Sequence, residues 1–236
     1  MQKLDIRRDG ASGSWETVNA GLSHVVVYSV IALVIWWTTS FAILMKPLDM
    51  SSGYLYILGL YASGALLLLP FLGACLCCTA PHPPARRRAC MCVLLLVAVF
   101  GISIVMLAFW SDLSVFFRGS LASLLFGLVI AVMASWFLFH VAVADFFQVA
   151  SLRFFSILTA IVTPVVFLAC VLLLLGVQGR LMVEVPIPGF IAQGPNREFR
   201  FMCFILLVSN TIILGMSLVL CIKTIRIINS VPAAGF

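Results

Sequence analysis

Long apolar runs separated by short polar stretches are the dominant pattern of this chain. A helix needs about 20 consecutive apolar residues to cross a bilayer. Six runs reach that length, over about residues 24–45, 54–78, 90–110, 120–147, 155–177 and 201–222. Pro164 inside the fifth run predicts a kink, because proline lacks the backbone N–H that the helix needs. We therefore predict an all-α integral membrane protein, a bundle of six transmembrane helices, with four spans as the alternative.

Three consecutive arginines, Arg86, Arg87 and Arg88, interrupt the apolar pattern between the second and third runs. Basic residues beside membrane spans are enriched on the cytoplasmic side. An even number of spans then places both termini on that side. Of the 14 Lys and Arg residues, nine fall on the predicted cytoplasmic side and five on the other. The three arginines are therefore the predicted topology anchor, and both termini are predicted to be cytoplasmic.

The polar segments outside the runs define the predicted domain limits. The predicted regions are a cytoplasmic arm over 1–23, a transmembrane domain over 24–222 and a cytoplasmic tail over 223–236. The transmembrane domain includes an outside loop over 178–200. Charges, glycines and serines in Met1 to Gly21 predict a mostly irregular arm. The stretch from Cys75 to Cys92 is predicted to be a loop stiffened by prolines.

Composition supports the membrane prediction. The chain is 64% hydrophobic and 9% charged, with a mean hydropathy of +1.22, whereas roughly 25% of the residues of an average soluble domain are charged. The net charge of +6 comes from residues at the ends of apolar runs, which indicates lipid headgroups as partners and no nucleic acid. Asp5, Asp9 and Glu16 break the acid-poor pattern of a mitochondrial presequence, which favours the plasma membrane or an endomembrane.

Small residues recur at every fourth position of the fourth run. They are Ser123, Gly127, Ala131 and Ser135, and we call them the small-residue stripe. Lipid provides no hydrophobic force between helices, so close backbone approach along such a stripe favours helix packing. Gly59 and Ser63 form a shorter version in the second run. Small residues are also common in membrane helices without any packing role, which is the alternative interpretation.

Ionisable residues are rare inside the runs, and His140 is the one that lies clearly within a span. Asp145 lies near the end of the same run, about 140° away around a helix, so the two are not expected to pair directly. Asp145 is placed to pair with Arg153 instead. His140 could gate protons, bind a metal or bind a cofactor, but a structural hydrogen bond across a helix interface is the favoured interpretation.

A transport pathway would need polar residues that converge along one route. The candidates are His140, Thr163, Pro164 and Asn210, near the kinked fifth helix. Asn210 is also a candidate for an interhelical hydrogen bond.

Five cysteines flank the arginines, namely Cys75, Cys77, Cys78, Cys90 and Cys92. Cysteines beside basic residues at a membrane surface are typical S-acylation sites, so palmitoylation is the favoured interpretation. Inert thiols and a zinc site are the alternatives. No cysteine falls in a predicted outside loop, so a disulfide framework is not expected.

No nucleotide-binding loop, nucleophile motif or metal-binding motif occurs in the chain. We therefore predict no enzyme activity, no catalytic residue, no cofactor and no metal. The leading hypothesis is a non-enzymatic scaffold or accessory subunit that packs against other membrane proteins or a second copy of itself. The alternative is a small transporter or channel, and a weaker third hypothesis is a redox or lipid-modifying membrane enzyme that uses His140.

Overall fold

The computed structural model describes residues 11–45, 68–109, 114–181 and 196–230, which form six α-helices. The helices are α1 (Ala11–Met45), α2 (Leu68–Cys77), α3 (Pro83–Phe109), α4 (Val115–Phe146), α5 (Ala150–Leu181) and α6 (Asn196–Ser230). These four ranges contain no β-strand. The all-helical prediction is confirmed for this part of the chain.

Five of these helices, all except α2, contain a segment that is long and apolar enough to cross a membrane. The segments are Trp15–Phe41, Pro83–Met106, Gly119–Phe146, Ala150–Leu173 and Phe204–Ser230. Helix α2 has 10 residues, and the predicted second run extends into residues 46–67, which lie outside the described ranges together with Gly59 and Ser63. The chain therefore has the helices of an integral membrane protein, while the count of six spans stays a prediction.

Helix α1 begins earlier than the sequence predicted. The irregular conformation expected for the N-terminal arm is wrong from Ala11 onwards. The physical reason is burial of one helix face, because Val18, Leu22 and Val25 recur at helical spacing and are 0%, 0% and 6% exposed. Tertiary packing of this face outweighs the weak helix propensity of the glycines and serines.

The loop predicted around the three arginines is also wrong from Pro83 onwards, because α3 begins there. Proline is favoured at the first helical position, where its missing N–H would have no partner and its φ angle is already helical. The chain turns over only 78–82, helped by bonds from the N–H of Cys78 to Cys75 O at 3.1 Å and of Ala80 to Cys77 O at 3.1 Å.

The connection between α4 and α5 is equally tight. Gln148 adopts a positive φ of 56°, and the N–H of Val149 donates to Ala144 O at 3.0 Å. A left-handed residue closes a helix end by turning the chain back on itself. The turn brings Asp145, at the end of α4, next to Arg153 in the first turn of α5.

The chain divides into two compact units, residues 1–25, 70–160 and 220–236 in the first and residues 26–69 and 161–219 in the second. The core of the first unit includes Phe139, Val143 and Leu152, each 0–2% exposed. In the second unit, Trp37 Nε1 of α1 donates to Thr211 Oγ1 of α6 at 3.1 Å. Helix α6 extends through both sets of residues and continues past the predicted end of the span at Ile222 to Ser230.

Candidate functional site

His140 lies in the core of the first unit and is 0% exposed. Two aromatic rings of its own helix enclose it edge-on, Trp136 with ring centroids 5.0 Å apart and Phe139 with ring centroids 5.2 Å apart. These three residues occupy one face of α4 because they are spaced by three and four positions. The imidazole of His140 is therefore buried beside aromatic rings of its own helix.

Thr224 of α6 binds His140 from across the helix interface. The distance from His140 Nδ1 to Thr224 Oγ1 is 2.8 Å, and the same hydroxyl donates to Leu220 O at 2.9 Å. A hydroxyl has one proton to donate, so Thr224 must accept the bond from His140. In the neutral imidazole, the proton is therefore on Nδ1.

The other ring nitrogen of His140 faces a thiol. Cys221 Sγ lies 3.9 Å from His140 Nε2, and a thiol is a weak donor that suits the unprotonated nitrogen of this tautomer. Both nitrogens are thus directed at side chains of α6. This arrangement joins α4 to α6, and we call His140, Thr224 and Cys221 the histidine node.

Aromatic rings lie at the end of α4 closest to the histidine node. Trp15 of α1 packs on Phe146 and Phe147, with centroid distances of 5.3 and 5.0 Å, and His82 packs on Phe146 at 5.0 Å. Burial in this cluster lowers the pKa of His82, while the nearby carboxylate of Asp145 acts in the opposite direction. Nδ1 of His82 is buried without a hydrogen-bond partner among the described residues.

The expected pairing of Asp145 with Arg153 is present, with Nε and Oδ1 3.2 Å apart. The two side chains are 46% and 60% exposed respectively. Exposed ion pairs contribute about 0–1 kcal/mol to stability because water and salt screen them. This pair therefore orients the turn between α4 and α5 more than it stabilises the fold.

A close approach of two helices in the first unit involves two glycines that the sequence did not indicate. A β-carbon on Gly73 would lie 2.6 Å from Gly21 O and 2.8 Å from Val25 Cγ2, and one on Gly21 would lie 2.5 Å from Gly73 O. The backbones of α1 and α2 are therefore in direct contact. The adjacent small pairs, Ala20 with Gly21 and Gly73 with Ala74, are the sequence signal that could have indicated it.

The structure divides the small-residue stripe of α4 into two halves. Ser135 is buried and its hydroxyl donates to Arg88 O of α3 at 3.0 Å, while Ala131 is half-buried. Ser123 and Gly127 are exposed. A β-carbon on Gly127 would meet no atom of the described chain within 4 Å.

The five cysteines near the arginines are all free thiols, and they differ in burial. Cys77 and Cys92 are 0% and 2% exposed. The other three, Cys75, Cys78 and Cys90, are half-buried. Among the described residues, no group of three or more His, Cys, Asp or Glu side chains could hold a metal ion.

The four pathway candidates belong to different units. His140 lies in the first unit, and Thr163, Pro164 and Asn210 lie in the second. Thr163 is 0% exposed, whereas Pro164 and Asn210 are half-buried. Thr211, the residue after Asn210, accepts the cross-helix hydrogen bond from Trp37.

No family model matches this chain, and no curated protein and no solved structure is significantly similar to it.

Proposed function

We propose that the protein is a non-enzymatic, multi-pass membrane scaffold or accessory subunit of a larger membrane protein complex, in the plasma membrane or an endomembrane. The observation that supports this function most directly is the open half of the small-residue stripe. Ser123 and Gly127 are exposed, and the space at Gly127 is open. An exposed glycine inside hydrocarbon allows a neighbouring backbone to approach closely. The partner is another membrane protein or a second copy of this chain.

The histidine node supports a non-enzymatic role. A general base must come within about 2.6–3.2 Å of the proton that it removes. His140 is 0% exposed and its two nitrogens are directed at Thr224 and Cys221. The imidazole thus connects α4 to α6, which is a structural role for a buried polar group.

Replacing Gly127 with leucine tests the scaffold function. We expect the wild-type chain, extracted from its own membrane in mild detergent, to migrate in a complex larger than the monomer on native gels and in mass photometry. Leucine fills the open space, so complex formation should fall about tenfold, which corresponds to roughly 1.4 kcal/mol of contact free energy. A partner helix that needs Gly127 cannot approach the longer side chain.

Gly101→Leu on α3 is the matched control, because a β-carbon at Gly101 also meets no atom within 4 Å among the described residues. This variant should retain the complex. A wild-type chain that migrates as a monomer, or an equal loss in the two variants, contradicts the scaffold function.

We also propose six spans with both termini on the cytoplasmic side. The support is that basic residues of α3 and α6 belong to the same unit as the start of α1. Arg86, Arg87 and Arg88 follow the first residues of α3, and Lys223 and Arg226 lie in the last turns of α6. Translocating these charges is costly, which favours their retention on the cytoplasmic side.

Cys75, Cys78 and Cys90 are the proposed acylation sites, because each is partly exposed near the arginines. The acyl donor is a long-chain acyl-coenzyme A. The cysteine sulfur attacks the thioester carbonyl, the bond to coenzyme A breaks, and the cysteine proton leaves on the coenzyme A thiol. Cys77 and Cys92 are too deeply buried to reach such a donor without local opening.

One thiol-labelling experiment tests both the topology and the acylation. After hydroxylamine removes acyl groups, a membrane-impermeant maleimide should label the chain from the cytoplasmic side alone. Labelling should disappear in the C75S/C78S/C90S variant and persist in the matched C77S/C92S variant. Labelling from the opposite side contradicts the topology. Labelling that does not require hydroxylamine contradicts the acylation.

A further inference from the structure

Exposed cations from three separate helices lie in the first unit. They are Arg86, Arg87 and Arg88 of α3, Arg153 of α5, and Lys223 and Arg226 of α6. Among the described side chains of this unit, the carboxylates are those of Glu16 and Asp145. This part of the molecule therefore has a clear excess of positive charge.

The cations differ in whether a described protein group already contacts their charged atoms. Arg153 pairs with Asp145 at 3.2 Å, and Lys223 Nζ lies 4.3 Å from the centre of the Phe155 ring. The three arginines of α3 form no salt bridge with any described residue. They are held in place through the backbone, where Arg88 O accepts the hydroxyl of Ser135.

An apolar face continues along α3 from Arg87, the middle one of these arginines. Starting from Arg87, the residues at successive helical spacings are Met91, Leu94, Ala98 and Gly101, and all four are exposed. Met91 is 51% and Leu94 66% exposed. We call these four residues the outer face of α3. At 1.5 Å per residue the face is about 15 Å long, which matches half of the roughly 30 Å hydrocarbon core.

Gly101 provides a gap at the far end of the outer face. A β-carbon there would meet no atom within 4 Å among the described residues. An acyl chain that follows Met91 and Leu94 can therefore come close to the backbone of α3 at this position. Dispersion contacts along such a surface are individually small and collectively large.

We propose that this side of α3 binds an anionic phospholipid, with its phosphate at Arg87, between Arg86 and Arg88, and one acyl chain along the outer face. The unpaired arginines bind phosphate oxygens through paired N–H groups. They favour a net negative headgroup over a zwitterionic one, because the cation of a zwitterionic headgroup offsets its phosphate charge. The continuous apolar face selects a lipid over an acidic protein segment. The proposal does not depend on the scaffold function, because it uses α3 and leaves the open half of the stripe on α4 free.

Spin-labelled lipids test the proposal directly. The purified full chain is placed in phosphatidylcholine vesicles that contain a small amount of either spin-labelled phosphatidylserine or spin-labelled phosphatidylcholine. The fraction of lipid with restricted motion is then measured by electron spin resonance. We expect phosphatidylserine to be preferred about fivefold at low salt, the effect of roughly one arginine contact. In 1 M salt, where screening acts over about 3 Å, the preference should vanish.

The R86Q/R87Q/R88Q variant should lose the preference, whereas Arg118→Gln should retain it. Arg118 lies near the start of α4, 27 residues before Asp145, which is about 40 Å along the helix. If the triple variant does not fold, Arg87→Gln replaces it and should lower the preference at least twofold. An unchanged preference in these variants, or an equal loss in Arg118→Gln, overturns the headgroup assignment.

Two further variants test whether the acyl chain lies along the outer face of α3. Gly101→Leu should lower the restricted fraction of phosphatidylserine, while Gly127→Leu on α4 should leave it unchanged. On complex formation we expect the opposite result, with loss of the complex in Gly127→Leu and none in Gly101→Leu. Failure of the lipid proposal is therefore distinguishable from failure of the scaffold proposal. A second copy of the chain on the outer face would show equal restriction of both lipids and a complex disrupted by Gly101→Leu, which overturns the lipid proposal.

Discussion

Replacing Gly73 with alanine is expected to lower the free energy of unfolding by about 1–3 kcal/mol, the usual cost of overpacking a close contact. The added methyl group would lie 2.6 Å from Gly21 O and 2.8 Å from Val25 Cγ2. A backbone carbonyl cannot rotate away as a flexible side chain can, so α1 and α2 must move apart. The predicted loss exceeds the gain of up to about 1 kcal/mol that alanine brings to a helix interior.

The measurement is unfolding of the purified protein in mixed micelles, followed by tryptophan fluorescence, with Gly127→Ala as the matched control. Both substitutions add one methyl group to a helix, but the control position is open. The control should be neutral or stabilised by up to about 1 kcal/mol. Equal effects of the two substitutions would show that α1 and α2 are not in direct contact at Gly21 and Gly73.

Removing the imidazole of His140 is expected to cost about 2–4 kcal/mol of stability. The His140→Ala variant leaves a cavity between Trp136 and α6, because His140 is 0% exposed and the packed helices cannot fully close around the lost volume. Leu138→Ala is the control on the same helix. Leu138 is 36% exposed, so its loss should cost clearly less in the same unfolding measurement.

A double-mutant cycle measures how much of this stability comes from the hydrogen bond between His140 and Thr224. Thr224→Val keeps the shape of the threonine but leaves His140 Nδ1–H without an acceptor, which should cost about 1–3 kcal/mol. In a His140→Phe background the same change should cost much less, because no donor is left unpaired. The difference between the two costs is the coupling energy. Zero coupling would show that the 2.8 Å contact does not contribute to stability.

The helix-forming parts of the chain were largely predictable from the sequence. Hydrophobic length is a local property, so five of the six predicted runs correspond to long helices of the described chain. The positions of their ends were less predictable. The described part of α1 reaches back to Ala11, well before the predicted start of the first run, because Val18 and Leu22 are buried by tertiary contacts. Helix α3 starts at Pro83 because proline suits a helix start as well as a loop.

The candidate site was predictable in part. The sequence indicated His140 as the notable polar group and Asp145 as a partner for Arg153, and the structure contains that ion pair. It did not indicate Thr224 or Cys221, which lie 84 and 81 residues from His140 along the chain. Sequence spacing carries no information about which residues of distant helices meet.

The sequence by itself determined that this chain has long apolar helices and which of their ends carry the arginines. These features depend on the free energy of transferring each segment from water to an apolar phase, which is a local property of the sequence. Only the tertiary structure decided that Gly21 meets Gly73, that His140 bonds to Thr224, and that Ser135 is packed while Gly127 is open. The reason is that lipid is as apolar as a leucine side chain, so hydrophobicity does not distinguish a face that packs against protein from one that faces lipid.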